Sequence, residues 1–238
     1  MSNMFCYQCQ ETAKNSGCTI KGVCGKSADV ANLQDLLVYL CKGISHFSVR
    51  LREMGIESAE VNKFVTDSLF MTITNANFDR ERFVTRVNQA IDLRDSVRDL
   101  FISKGGKIDE ITFEGAYWSS RDVSVMEQKA TEVGVLSTEN EDVRSLRELT
   151  IYGLKGVAAY AEHAFNLGHE QADIYSFMQK ALVDTTDDSL SADQLTALVL
   201  ETGALGVKVM ALLDKANTSA YGNPEITKVN LGVRNNPA

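Results

Sequence analysis

Apolar residues recur at three- and four-residue intervals along most of this chain, the signature of helices with one buried face. The first such stretch runs from Asp29, a candidate N-cap, to Gly55, with Leu33, Leu36, Leu37, Leu40, Ile44 and Phe47 on one stripe. A second starts at Ser58, with Val61 as its first apolar residue, and runs to about Thr74. A third follows Asp79 and carries Phe83, Val87, Ile91, Leu93, Val97 and Leu100 before Gly105-Gly106 stops it. Lys107–Arg121 has no clear period and holds the single tryptophan, Trp118. A short helix is expected over about Val123–Val133, closed by Gly134. Three more are expected at about Asn140–Leu167, Gln171–Val183 and Ala192–Ala216, the last capped by Ser191.

Proline sharpens this picture. Only Pro224 and Pro237 occur, so everything before residue 224 is free of the residue that breaks helix interiors. Strand-like alternation is hard to find before that point. The fold class expected is all-α, as two successive three-helix bundles. A cysteine-rich loop at 1–28 precedes a first bundle at 29–136, and a second follows at 137–221. Residues 222–238 change character, with Ile226, Val229, Leu231 and Val233 alternating, and read as a linker that begins an α/β domain. Gly153, Gly156, Ala158, Ala159 and Ala161 crowd one helix, which suits close approach of a neighbouring helix.

Charge and length exclude several classes. The 238 residues carry a formal net charge of −8, which disfavours binding to a phosphate backbone. No unbroken run of about 20 apolar residues is present, so the chain is not expected to span a membrane. The first residues, Met1-Ser2-Asn3-Met4-Phe5-Cys6, lack the basic and apolar regions of a secretory signal, and a cytoplasmic protein is expected.

Chemistry concentrates at the amino end. Of five cysteines, Cys6, Cys9, Cys18 and Cys24 lie in the first 24 residues, spaced C-x2-C-x8-C-x5-C. Cys41 stands alone in the first long helix, in phase with Leu37 and Ile44, and reads as a small buried apolar residue. Disulfides do not suit a reducing compartment. Structural zinc favours two tight C-x2-4-C bites, and only Cys6–Cys9 is one. Four thiolates in a glycine-rich stretch satisfy an iron–sulfur cluster, with Gly17, Gly22 and Gly25 letting the backbone aim N–H groups at sulfur. Lys14, Lys21 and Lys26 outnumber Glu11 and Asp29 in residues 1–30 and would favour thiolate there. Tetrathiolate zinc and iron–sulfur sites share residue types, so zinc stays an alternative.

Other chemistry is missing. None of His46, His163 and His169 is preceded at three residues by glutamate, so no Glu-x-x-His di-iron pattern exists. Each is expected to pack or to face solvent, and adjacent Glu162 and His163 are not expected to share a helix face. There is no G-x-G-x-x-G, P-loop or G-x-S-x-G.

The segments Met4-Phe5-Cys6-Tyr7-Gln8-Cys9-Gln10-Glu11-Thr12, Gly17-Cys18 and Gly22-Val23-Cys24-Gly25-Lys26 resemble the start of the hybrid cluster (prismane) proteins, which are hydroxylamine reductases. Asn32-Leu33-Gln34-Asp35-Leu36-Leu37, Thr74-Asn75-Ala76-Asn77-Phe78-Asp79 and Tyr152-Gly153-Leu154-Lys155-Gly156-Val157-Ala158-Ala159-Tyr160 agree, as does Lys228–Pro237. The resemblance implies that Cys6, Cys9, Cys18 and Cys24 hold a [4Fe-4S] cluster and pass electrons from a redox donor protein. It further implies a hybrid [4Fe-2O-2S] cluster that reduces hydroxylamine, with nitric oxide as a second proposed substrate, in later α/β domains. The family's members are much longer, and no residue here matches a ligand of that second cluster. The chain is therefore expected to be an electron-entry portion without the catalytic metal, inactive by itself.

Overall fold

The computed structural model describes residues 4–229 and 232. Seven α-helices are present among them: α1 (Ala28–Glu53), α2 (Ala59–Met71), α3 (Arg80–Ser103), α4 (Val123–Glu132), α5 (Glu141–Asn166), α6 (Ala172–Asp184) and α7 (Ala192–Tyr221). No strand is found among the described residues, and the only β-like element is an isolated antiparallel bridge between Cys6 and Cys18. The all-α expectation holds. Residues 222–229 take no regular structure, so the alternation beginning at Ile226 makes no strand there, while Leu231 and Val233 lie outside the described residues.

Local chemistry sets most helix ends. Ser58, Asp79 and Asn140 each accept a backbone N–H three residues on, from Val61, Arg82 and Val143. Ser191 and Gln194 form a reciprocal capping box at the start of α7. The first helix starts earlier than Asp29 suggests. Its N-cap is Ser27, in extended conformation, and Asp29 sits in the first turn, where its charge still favours the helix N-terminus. The last helix runs past Ala216, because Asn217, Thr218 and Ser219 are weak helix formers without being breakers. It ends at Gly222, whose φ of 83° is left-handed.

Packing crosses the divide near residue 137. One continuous core runs from Val30 to Ala216. Within it α1 packs on α3, α4 and α6, α2 packs chiefly on α5, and α5 packs on α7. Helices expected in successive bundles thus interleave. A polar clasp marks one crossing: Ser48 Oγ donates to Gln179 Oε1 at 2.7 Å, and Gln179 Nε2 donates to Asn62 Oδ1 at 2.7 Å, joining α1, α6 and α2.

The aperiodic segment is pinned by a buried cation. Arg94, fully buried, donates to the carbonyl oxygens of Gly115 and Trp118 and pairs with Asp95 at 2.8 Å. Gly43 of α1 meets the same segment, and a Cβ added there would lie 2.1 Å from the Gly115 carbonyl oxygen.

The helix α7 is apolar by average although it holds no unbroken apolar run. It is long and apolar enough to cross a membrane by length and composition, with an 18-residue window of mean hydropathy 1.6. Charged residues interrupt the helix, so no unbroken run appears in the sequence. Its inner face, including Leu195, Thr202, Leu205 and Val209, packs in the core, while Leu200 and Val207 are 70% exposed. The expected close approach on α5 occurs at Gly153, where a Cβ would stand 2.8 Å from Thr202 Cγ2 of α7; Gly156 has open space instead.

Candidate metal centre and adjoining cavity

The cysteine loop is folded onto the start of α1. Cys6 and Cys18 exchange backbone hydrogen bonds, Cys6 N–H to Cys18 O at 3.1 Å and Cys18 N–H to Cys6 O at 2.8 Å. Cys18, 5% exposed, packs with Met4, Ala28 and Ala31 in a small cluster that Cys6 and Ala13 flank. Between these strands of loop, Thr12 donates its N–H and its hydroxyl to the Cys9 carbonyl. Lys14 and Asn15 then turn the chain at positive φ, 55° each. Gly22 N–H donates to Lys26 O at 2.8 Å, and a Cβ at Gly22 would lie 3.0 Å from Cys24 Sγ, so the glycine clears space at that sulfur.

The four thiols suit a tetrathiolate centre in number, in kind and in their glycine-bearing loop. Cys6 and Cys18 are brought side by side, Cys9 is half-buried and Cys24 is exposed. Among the described residues, no three His, Cys, Asp or Glu side chains stand close enough together to hold a metal ion. Cys41 is fully buried, and burial pushes its thiol up to about 12, as a small core residue should behave.

Lysines of the loop part company. Lys14 and Lys21 are exposed, whereas Lys26 is buried and donates to Gln34 Oε1 at 2.7 Å. Gln34 continues to the Asn77 carbonyl at 3.4 Å, and Gln8 Oε1 accepts the Thr74 N–H at 2.9 Å. Lys155 Nζ reaches the Thr72 carbonyl at 3.3 Å. Segments from residues 4–26, 32–37, 72–79 and 152–155 therefore meet around the cysteine loop.

Beside that loop lies a cavity of about 450 Å³, walled by α1, α5, Val133, Val135 and residues 5–8. Asp35 and Lys42 from α1 and Arg144, Glu148 and Lys155 from α5 face it. Sequence reasoning missed this group. Its one signal was charge set among apolar helix positions, as Asp35 is between Leu33 and Leu36-Leu37 and Lys155 is beside Leu154 and Val157. Burial pushes Asp35 up to about 7, against the opposing pull of Lys155. Burial also lowers Lys155 and Lys42, which Asp35 and Glu148 partly offset.

A raised carboxyl makes a stability prediction. The folded state holds a proton on Asp35 that the unfolded chain has released, so its cost appears as pH rises from about 4 to about 7. The whole shift corresponds to about 4 kcal/mol, and solvent in the cavity reduces it. Asp35→Asn should match wild type near pH 4 and be more stable by roughly 1–2 kcal/mol at pH 8. Urea unfolding across that range measures it, and parallel pH profiles for both chains would refute it.

The histidines carry structure. His46 is buried, stacked on Phe113 with Nε2 2.9 Å from Thr186 Oγ1, and burial pushes it down to about 4. His163 is exposed at the edge of Phe70, and its Nδ1 does reach Glu162 at 3.2 Å. Adjacent side chains on an exposed helix turn can bend toward each other although their Cβ atoms diverge.

Residues 4–238 match the Prismane/CO dehydrogenase family. This chain belongs to that family. A hydroxylamine reductase of Desulfitobacterium hafniense (strain Y51) is 64% identical over 236 residues, 99% of this chain and 43% of the relative. One from Clostridium novyi (strain NT) is 61% identical with the same coverage. One from Clostridium botulinum (strain Kyoto / Type A2) is 54% identical over 258 aligned residues, 99% of this chain and 45% of the relative. This Prismane-family chain thus spans less than half the length of the relatives it matches, and corresponds to their N-terminal part.

Proposed function

We propose that this chain is the electron-entry portion of a hydroxylamine reductase, with Cys6, Cys9, Cys18 and Cys24 holding a [4Fe-4S] cluster. One observation carries the reading: a four-thiol loop, anchored by Gln8, Lys26 and Gln34, in a chain 64% identical to a hydroxylamine reductase. Such a cluster supplies one-electron transfer when bound. The protein's part is to hold the sulfurs and tune them. The Cys6–Cys18 bridge sets two of them side by side, Gly22 clears room at Cys24, and the packing of Met4, Ala28 and Ala31 on Cys18 keeps water from that side.

Reduction of hydroxylamine to ammonia and water consumes two electrons and two protons. In this reading a redox donor protein supplies the electrons to the cysteine loop. The catalytic hybrid cluster belongs to the part of the relatives that this chain does not span. A reducing compartment, the cytoplasm, suits four unpaired thiols, and the acidic surface leaves nucleic acid out of the partners. We place the chain off the membrane, with α7 engaged through α5.

Anaerobic reconstitution with iron and sulfide, followed by metal and sulfide analysis and EPR of the reduced chain, tests the cofactor. A colourless chain that binds zinc tightly and takes up no sulfide would instead support a structural zinc–cysteine site in a non-catalytic helical domain. The reconstituted 238-residue chain should not turn over hydroxylamine with a chemical reductant above the rate of free cluster and buffer. Sustained ammonia production by it would refute the assignment of catalysis to the remainder.

A further inference from the structure

The cavity beside the cysteine loop contains more cationic donors than the protein satisfies. Lys155 is only 4% exposed, and its one hydrogen bond among the described residues is to the Thr72 carbonyl. Lys42 faces the same space without a hydrogen bond or ion pair among the described residues, though an ammonium has three donors to fill. Arg144 adds a third cation, held by the carbonyls of Thr138 and Glu139. Asp35, Glu141 and Glu148 face these cations, yet no lysine or arginine lies within ion-pair distance of these carboxylates among the described residues. A buried ammonium with a single hydrogen bond, as at Lys155, is costly, and an anion that accepts from it and from half-buried Lys42 recovers the cost.

Size and wall chemistry narrow the ligand. About 450 Å³ is an order of magnitude more than a single water or inorganic ion fills and falls in the usual range of small-molecule sites. Tyr7, Tyr39 and Tyr152 offer ring faces around the charged group. We propose that this cavity binds a small organic carboxylate, its head group on Lys42 and Lys155 and its apolar or aromatic body against the tyrosines. Lys42, Arg144 and Lys155 meet Asp35, Glu141 and Glu148 in this cavity; burial pushes Asp35 up to about 7 and lowers both lysines, so an anion bound between the lysines would hold them charged. Of the proposed thiolate ligands, Cys6 lines this cavity and Cys9, Cys18 and Cys24 do not.

Isothermal titration calorimetry of the full 238-residue chain tests the site, at constant ionic strength with chloride as the background anion. The probes are isophthalate, benzylamine and inorganic phosphate. Isophthalate should bind saturably at about one per chain, at least about tenfold more tightly than either comparison probe. Lys42→Met and Lys155→Met should each weaken isophthalate at least about tenfold, and Glu148→Gln should strengthen it a few-fold, with unchanged far-ultraviolet circular dichroism showing that each variant is folded. Arg144→Gln serves where a lysine variant does not fold, and should weaken binding in the same direction. Absence of saturable isophthalate binding overturns the proposal. So does equal or tighter binding of phosphate or benzylamine, or binding indifferent to all of these substitutions. Iron and sulfide content are scored separately, so a chain that loads a cluster but binds no carboxylate fails this proposal alone.

Discussion

Cys18→Ser should abolish stable cluster assembly: where the wild-type chain takes up about four iron and four sulfide after anaerobic reconstitution, this variant should retain less than about a quarter of that. Serine nearly matches cysteine in shape, so the backbone bridge from Cys6 to Cys18 can survive while the sulfur is lost. Cys18 is also the most buried of the four, packed on Met4, Ala28 and Ala31, and the one thiol beside it, Cys6, is itself a proposed ligand. The seven helices draw their core from other residues, and far-ultraviolet circular dichroism should change little. Cys41→Ala is the control. That thiol is fully buried among core residues, and its removal should leave iron and sulfide content intact. Full loading of Cys18→Ser, or equal loss in Cys41→Ala, would remove the loop from the cofactor site.

Gly43→Ala should be the most damaging single methyl addition in the helical core. On an open helix face, alanine for glycine gains about 1 kcal/mol. Here the new Cβ would lie 2.1 Å from the Gly115 oxygen and 2.6 Å from its carbonyl carbon, and both are backbone atoms. Gly115 cannot simply retreat, because Arg94 donates to its carbonyl and the Phe113 ring packs against it. A net loss of about 3 kcal/mol is expected, with a Tm lower by roughly 5–10 °C. Gly156→Ala, with nothing within 4 Å of the added methyl, should be neutral or slightly stabilising. Thermal unfolding of the two variants side by side decides the matter, and equal stability of Gly43→Ala and wild type would show that α1 does not approach Gly115 this closely.

Much of the helical layout was legible because its causes are local. Ser58, Asp79, Asn140 and Ser191 cap the next turn with their own side chains, and each marks its helix start correctly. Ser27 and Asp29 are equally good capping types, and only backbone conformation, extended at Ser27, decides between them. The overrun of α7 to Tyr221 has a related origin: three weak helix formers in a row look like an end, but none of them is a breaker, and the helix continues until Gly222.

The candidate site divides in the same way. The thiol set is visible in the sequence because all four residues fall within one short loop. The cavity was invisible because Asp35 and Lys42 are more than a hundred residues from Glu148 and Lys155, and a periodic pattern says which face of a helix is inward without saying which helix it meets.

By itself, then, the sequence determined seven helices, a single cysteine-dense loop and a core free of proline, since periodicity, caps and thiol spacing are properties of neighbouring residues. Only tertiary structure decided that α2 lies on α5 and α6 on α1, and that Gln8 and Gln34 tie the loop to residues 74–77. It also decided that charged side chains from two helices line one cavity. The physical reason is that apolar burial is non-directional: many partners satisfy one greasy face, and the choice among them is made by side-chain fit, close glycine contacts and buried hydrogen bonds between distant residues.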